Sequence, residues 1–281
     1  MVEVGYYNGK IGPLEEMQIP MLDRACYFGD GVYDFAMYHE GKVFAFDEHL
    51  DRFYKSASMI EIDIPYTKEE MKNIILETAK ASECEDLGLY WQISRGTAIR
   101  NHAFPAKEVK PNVMVMVKPL KSVAADTKFK LITVDDTRFL HCNIKTINLL
   151  LNVLANEKAK KAGCDEAVFH RDGRVTECSH CNIHILKNGV LRTAPADNFI
   201  LPGVARAHVI NMCNQLGIPV DETPFSIEEL MDADEVIISS TSTLCIQASE
   251  VDGKPVGGKD IETFNRLKNA IRKEYNDFMG F

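Results

Sequence analysis

The sequence predicts an α+β fold in two domains. A small N-terminal α/β domain is expected over 1–118, and a larger C-terminal domain over 123–281, with a β-meander or barrel-like sheet and flanking helices. Three observations predict this. The chain has 281 residues, and at ~150 residues per domain that length suggests about two. A Pro-containing charged segment, Lys118-Pro119-Leu120-Lys121-Ser122, lies between the apolar runs Val113–Val117 and Phe129–Val134 and reads as a linker over 119–122. Strand patterns come in runs punctuated by helices, which suits layered α+β architecture better than a regular parallel α/β sheet.

Composition excludes several classes. The net charge is −9, so the clustered positive charge that binds phosphate backbones is not expected, and no nucleic-acid partner with it. Apolar residues make up 46% and charged residues 26%, an ordinary globular balance that argues against disorder. No apolar stretch approaches the ~18 residues of a membrane span. The N-terminal MVEVGYYNGKIG lacks a basic region followed by an apolar run, so no secretory signal is expected. The cysteines, at 26, 84, 142, 164, 178, 181, 213 and 245, are expected to be reduced thiols in a cytoplasm.

In the first domain, Asn8-Gly9 between Tyr6-Tyr7 and Lys10-Ile11 signals a hairpin with positive φ at both turn residues. Glu40-Gly41 ahead of Lys42–Phe46 suggests a second hairpin. Leu50, Phe53, Ala57 and Ile60 recur at helical spacing. Thr67 and Glu70 form a capping-box pattern before Met71, Ile74, Ile75 and Ala79. Strands fit Leu87–Ser94 and Asn112–Val117.

The second domain opens with a strand near Lys130–Val134. A helix is expected from about Asn148 to Ala162, stopped by Gly163. A meander follows: Glu166–His170, an Asp172-Gly173 turn, Val175–Leu186, an Asn188-Gly189 turn and Val190–Thr193. Leu201-Pro202-Gly203 opens a helix that ends near Gly217. Ser226 and Glu229 form a second capping box. Glu235–Ser239 is an apolar strand. The last helix, Asp260–Phe278, places Ile261, Phe264, Leu267, Ile271, Tyr275 and Phe278 on one face.

Five features could carry chemistry. Lys145 lies between a strand and a helix among apolar residues, and partly apolar surroundings favour the neutral amine that Schiff-base or general-base work needs; a solvated strand-end lysine has the same spacing. Glu177, a carboxylate in mid-strand, suits a buried partner for a cation, or an edge-strand surface charge. The Leu201-Pro202-Gly203 turn presents free backbone N–H groups of the kind that bind phosphate, as any helix start does. Ser239–Thr243 puts hydroxyls at the end of a strand, where phosphate oxygens or only water can meet them. Arg100-Asn101-His102 could clamp a carboxylate, or be a polar loop.

Cys178, His180, Cys181 and His184 are potential metal ligands within one short segment. Structural zinc usually draws on two separated ligand pairs, and alternate residues of a strand point to opposite faces. No metal site is therefore expected. A redox pair of Cys178 and Cys181 is disfavoured too, because low-pKa thiols favour helix N-termini.

Taken in order, these features resemble one family. Asp23-Arg24, Phe28-Gly29-Asp30-Gly31-Val32-Tyr33, Glu48-His49-Leu50-Asp51-Arg52, Arg95-Gly96-Thr97, Ile144-Lys145-Thr146-Ile147-Asn148, Glu177, Asn182 and Ser240-Thr241 together resemble the fold-type IV PLP-dependent aminotransferases. Within that family the closest resemblance is to the bacterial D-amino acid (D-alanine) transaminase branch. It runs nearly end to end.

The resemblance implies pyridoxal 5′-phosphate as cofactor and an expected function: transamination between a D-amino acid (D-alanine, D-glutamate or similar) and a 2-oxo acid. Lys145 is implied to hold the cofactor as a Schiff base and to shuttle the Cα proton, and Glu177 to face the pyridine nitrogen. Arg52, the backbone N–H groups of Val204 and Ala205, Ser240 and Thr241 are implied around the phosphate. Leu201 is implied to pack on the ring, and His180 to stand beside the cofactor where the family usually has a small hydroxyl residue. Tyr33, Arg100 and His102 match the family's carboxylate trap, the last two reaching in from a partner subunit, which implies a homodimer. The Arg-x-His pair favours D-amino acids over two alternatives of the same fold, a branched-chain L-amino acid aminotransferase and an aminodeoxychorismate lyase. A metal-binding or redox protein built on Cys178, His180, Cys181 and His184 is the non-enzyme alternative.

Overall fold

The computed structural model describes residues 1–281. Contacts divide the chain into two units, Met1–Lys121 with Ile144–Asn148, and Ser122–Asn143 with Leu149–Phe281.

The first unit contains β1 (Val4–Tyr7), β2 (Lys10–Pro13), α1 (Arg24–Phe28), β3 (Gly31–His39), β4 (Lys42–Val43), α2 (Phe46–Met59), α3 (Lys68–Lys80), β5 (Asp86–Ser94) and β6 (Asn112–Pro119). The strands form one six-stranded sheet in the order β2-β1-β6-β5-β3-β4, and every pairing is antiparallel. Asn8 and Gly9 join the first two strands with φ of 45° and 96°, the positive-φ pair that matches strand twist in a two-residue hairpin. Thr67 and Glu70 close the capping box that starts α3. Leu50, Phe53 and Ala57 of α2 and Met71, Ile75 and Ala79 of α3 join Leu89, Trp91 and Val115 of the sheet in one core.

The Ile144–Asn148 segment belongs to this unit, although its sequence position lies inside the expected second domain. Ile144 is part of the first core. Thr146 bridges Val32, and the Tyr33 N–H donates to the Lys145 carbonyl at 2.9 Å. The start of β3 thus fixes the backbone on which Lys145 is carried.

The second unit contains β7 (Lys128–Asp135), α4 (Leu150–Lys161), β8 (Glu166–Arg171), β9 (Arg174–Cys178), β10 (Asn182–Lys187), β11 (Val190–Thr193), α5 (Val204–Leu216), β12 (Val220–Asp221), α6 (Ile227–Asp232), β13 (Glu235–Ser239), β14 (Ile246–Val251), β15 (Lys254–Pro255) and α7 (Ile261–Met279). Its nine-stranded sheet runs β12-β11-β10-β13-β14-β7-β8-β9, with β15 paired to β14. The strand β7 is parallel to β8 and β14, and α4 makes the crossover from β7 to β8, packing Ala155 and Ala159 on Ala167 and Phe169. Leu131, Val168, Ile183, Ile185, Val236 and Ile238 fill the sheet's core.

Two expectations change. The strand read over Val175–Leu186 is broken. β9 pairs only with β8, β10 pairs with β11 and β13, and a tight turn between them closes with the Cys178 N–H on the Cys181 carbonyl at 2.8 Å. On α7, Phe264, Leu267, Ile271 and Tyr275 are buried, but Ile261 and Phe278 are exposed, and Met279 completes the face instead.

Candidate active site

In the first unit the site grows from β3 and α2. Val32 and Asp34 point inward from β3, and α2 crosses behind them, carrying His49 and Arg52 one turn apart. Asp34 is fully buried. It accepts from Arg52 Nη2 at 2.7 Å and Nε at 2.9 Å, and His49 Nδ1 lies 2.9 Å from its Oδ1. Burial alone would raise the Asp34 pKa, but Arg52 and His49 outweigh it and hold the carboxyl far below its usual range. His49 goes the other way: burial pushes its pKa down, against the pull of Asp34. A forked Arg–carboxylate contact fixes the plane of the guanidinium, so Arg52 is placed by Asp34.

Lys145 is partly buried. Its backbone N–H donates to Ser56 Oγ at 3.2 Å, and Nζ sits 4.3 Å from the centre of the Tyr33 ring. Tyr33 in turn stacks on Tyr90, with 5.3 Å between centroids. An amine over an aromatic face is a cation–π contact, and here it holds the lysine chain in one direction. The structure therefore brings Lys145 and Tyr33 together.

Arg100 and His102 lie on the exposed loop after β5. Both gather on Phe28, the Arg100 guanidinium 5.0 Å and the His102 ring 5.1 Å from its centroid. Within one chain they are grouped with Phe28 rather than with the Tyr33–Lys145 pair.

In the second unit Glu177 ends a buried ion chain. Arg138 Nη1 donates to Glu177 Oε1 at 2.6 Å. The same guanidinium forks onto Asp136, Nε to Oδ1 and Nη2 to Oδ2, both at 2.9 Å. Arg171 and Thr176 add donors to Asp136 at 3.0 Å each. Burial would raise the Asp136 pKa, but Arg138 overrides it and holds the carboxyl low. On its other oxygen Glu177 accepts from the Leu201 N–H at 2.9 Å and from Asn182 Nδ2 at 3.3 Å. Asn182 Nδ2 also reaches the Leu201 carbonyl at 3.0 Å. Glu177, Asn182 and Leu201 are thus one local assembly, and both oxygens of Glu177 are acceptors.

That assembly explains Gly203. A Cβ there would lie 2.0 Å from Asn182 Oδ1, so any larger residue would have to displace Asn182 from Glu177. Gly203 is the N-cap of α5 and offers no side-chain cap, so the first N–H groups, those of Val204 and Ala205, are available to an anion. In the Ser240–Thr243 turn, Ser240 Oγ meets Thr243 Oγ1 at 2.9 Å and accepts from the Thr243 N–H. Thr241 beside it is partly buried.

The Cys/His segment does not gather the four residues that the non-enzyme alternative would use. His184 is a satisfied core residue: Nδ1 meets Thr193 Oγ1 at 2.9 Å and Nε2 meets Ser239 Oγ at 2.8 Å, and burial lowers its pKa to about 3. Cys178 is fully buried, and burial pushes its thiol pKa well up. His180 instead aims Nδ1 at Glu166 Oε2, 2.6 Å away.

Sequence reasoning missed Asp34, Asp136, Arg138 and Glu166. The signal was available for two of them. Asp34 and Glu166 are carboxylates inside apolar strands, the same pattern that drew attention to Glu177.

The fold and this side-chain set define an aminotransferase. A family model described as amino-transferase class IV matches residues 31–251, and the chain belongs to that family. The D-alanine aminotransferase of Staphylococcus haemolyticus is 39% identical over 271 residues, covering 95% of this chain and 96% of that protein. The D-alanine aminotransferase of Bacillus licheniformis is 35% identical over 277 residues, covering 95% and 97%. A solved branched-chain aminotransferase from Thermoproteus uzoniensis superposes with a TM-score of 0.86 at 26% identity, covering 98% and 97%.

Proposed function

We propose that this class IV aminotransferase uses pyridoxal 5′-phosphate to move the amino group of a D-amino acid, such as D-alanine or D-glutamate, to a 2-oxo acid. The observation that carries this reading is Lys145, held over Tyr33 at 4.3 Å in a chain that also displays the Arg100-x-His102 pair. The relatives named D-alanine aminotransferase, at 39% and 35% identity, support the D-specific choice.

The residues present fit this cofactor. Lys145 supplies the amine for its aldehyde. Glu177, an acceptor at both oxygens, suits the protonated ring nitrogen. The start of α5, with no side-chain cap on Gly203, suits the phosphate, and Arg52, Ser240 and Thr241 would be its other donors. Leu201 would pack against the ring. His180 is left out of this set because its ring is committed to Glu166.

When bound, pyridoxal phosphate supplies an electron sink for negative charge at the substrate Cα. Lys145 Nζ would anchor the cofactor through its aldehyde, and the same amine would take the substrate Cα proton as general base. Tyr33 limits where that amine can reach. Glu177 would accept the N–H of the ring nitrogen and so keep it protonated, and Arg138 holds Glu177 in position at 2.6 Å. Tyr33, Arg100 and His102 would hold the substrate carboxylate, the last two contributed across a homodimer. The exposed apolar stripe on α4 (Leu150 71%, Val153 60% and Leu154 50% exposed) supports such a dimer, because single surface apolars are common but a contiguous row marks an interface. No helix is long and apolar enough to cross a membrane, and the eight unbridged cysteines suit a reducing cytoplasm.

Likeness to the branched-chain enzyme favours L-amino acids as the second reading. Initial rates with D-alanine and L-leucine on 2-oxoglutarate, with D-glutamate on pyruvate, and with aminodeoxychorismate alone separate these readings. Turnover of the D-isomers is expected. Preference for L-leucine would replace the proposal with the branched-chain reading.

A further inference from the structure

The break between β9 and β10 has an effect outside the transamination set. It releases residues 179–181 from strand alternation, so two consecutive side chains can approach the same group. That group is Glu166, the first residue of β8, whose side chain is fully buried. Glu166 Oε1 is pinned by two backbone donors, the Ala167 N–H at 2.7 Å and the Ser179 N–H at 3.1 Å. Its Oε2 is thereby turned toward His180 Nδ1 at 2.6 Å and Cys181 Sγ at 3.4 Å. The carboxylate oxygen, the imidazole nitrogen and the sulfur all lie within 4.8 Å of one another.

We propose that Glu166, His180 and Cys181 form a binding site for a borderline-soft divalent cation, with Zn²⁺ the best match, held by Oε2, Nδ1 and Sγ. Three arguments support it. First, sulfur, imidazole and carboxylate are the three ligand types that zinc takes, and one of each with an open position is the pattern of a three-ligand site. Magnesium and calcium are excluded because they prefer oxygen-only sets. Second, the geometry is close to closure: four-coordinate zinc with bonds of about 2.0–2.3 Å separates its ligand atoms by about 3.3–3.8 Å, so small side-chain rotations suffice. Third, the fixed ligand is already oriented by its two backbone donors, the outer-shell support that metal-bound carboxylates usually have.

The fourth position has a route to solvent. The His180 side chain is 58% exposed, whereas Cys181 and Glu166 are buried, so an ion enters from the imidazole side with water completing its shell. The binding step balances without electron transfer. The ion takes the lone pairs of Nδ1 and Sγ, the proton shared between Nδ1 and Oε2 and the thiol proton leave to solvent, and no residue is oxidised or reduced. The grouping of Cys178, His180, Cys181 and His184 fails because His184 is bonded to Thr193 and Ser239 and the Cys178 thiol is outside the ligand group, and Glu166 supplies the missing ligand from another strand.

The test uses the full-length protein, treated with chelator, dialysed against Zn²⁺ and analysed for bound metal, with Co²⁺ as a spectroscopic probe. About one Zn²⁺ per chain is expected, with the visible absorption of four-coordinate Co²⁺ and a sulfur-to-cobalt band. His180→Gln and Cys181→Ser should each weaken binding at least about tenfold. Cys178→Ser, which alters a neighbouring thiol outside the cluster, should retain it. If Cys181→Ser fails to fold, His180→Gln decides alone, because its side chain is on the surface. A metal content near zero, or binding that is the same in His180→Gln and Cys181→Ser as in the unaltered protein, would overturn the proposal and leave His180 and Glu166 as an ion pair. The readout is metal content, so it is independent of any transaminase activity.

Discussion

Asp34 holds Arg52 through both carboxylate oxygens, Oδ1 to Nη2 at 2.7 Å and Oδ2 to Nε at 2.9 Å, and a third partner, His49, shares Oδ1 at 2.9 Å. The phosphate-binding role proposed for Arg52 needs a fixed guanidinium, and this buried fork supplies it. Asp34→Ala removes the carboxylate that forks onto the Arg52 guanidinium. It should cost about 3–5 kcal/mol, the usual penalty for breaking a buried pair, and should raise the Kd for pyridoxal phosphate. Urea unfolding of the cofactor-free protein, with a cofactor titration beside it, measures both. An unchanged midpoint and Kd would show that Asp34 does not place Arg52.

Arg138 ties Glu177 to Asp136 in one buried chain. Arg138→Met removes the cation that Asp136 and Glu177 share and should destabilise the protein by about 3–5 kcal/mol. Arg138→Lys should be milder but still impaired, since an ammonium cannot fork onto Asp136 and reach Glu177 together. Thermal unfolding at pH 7 and pH 5 checks the mechanism. Acid should narrow the gap between Arg138→Met and the unaltered protein, because protonating the buried carboxyls removes the penalty of their lost cation.

Gly203→Ala brings a Cβ to 2.0 Å from Asn182 Oδ1. Asn182 must swing away, and it then releases both Glu177 and the Leu201 carbonyl. Overpacking of this kind costs about 1–3 kcal/mol. Cofactor retention on dialysis should fall in parallel. Full retention with unaltered stability would mean that the turn relaxes without disturbing Glu177.

His184 gives the protein a pH dependence of known sign. Burial lowers its folded pKa to about 3, against roughly 6.5 in the unfolded chain. Below pH 6.5 the unfolded chain binds a proton that the folded one refuses. Stability is therefore full above pH 6.5 and is lost as pH falls from there toward 3. Between pH 7 and pH 5 the loss should be about 2 kcal/mol. The buried His49, also lowered, acts in the same direction. His180 is raised to about 11 by Cys181 and Glu166, so its contribution falls only as pH rises above neutral. Urea midpoints at pH 7 and pH 5 should differ, and His184→Gln should reduce the difference. An equal drop in both proteins would exclude His184 as the titrating group.

Much of this was legible in the sequence. The Asn8-Gly9 hairpin and the Thr67–Glu70 and Ser226–Glu229 capping boxes are local devices, and local devices are written in consecutive residues. Lys145 and Glu177 stood out because a charged residue in an apolar run needs a reason. The partners of those residues were harder to find. Asp34 reaches Arg52 across 18 positions and Arg138 reaches Glu177 across 39, so neither pair shares a periodic pattern. The β9–β10 break was missed because Val175–Leu186 reads as one apolar strand, yet a hydrogen bond between Cys178 and Cys181 turns the chain there. That one turn invalidated the alternation rule for His180 and Cys181 and brought both onto Glu166, a residue with no sequence link to them.

The most direct test of the central claim is the absorption spectrum of the cofactor-loaded protein, recorded before and after D-alanine, with L-alanine and L-leucine as controls and Lys145→Ala alongside. The account predicts a visible cofactor band that D-alanine alone bleaches, and no such response from Lys145→Ala. A band that responds to L-leucine and ignores D-alanine would contradict the D-specific reading. An undiminished response in Lys145→Ala would contradict the assignment of the lysine itself.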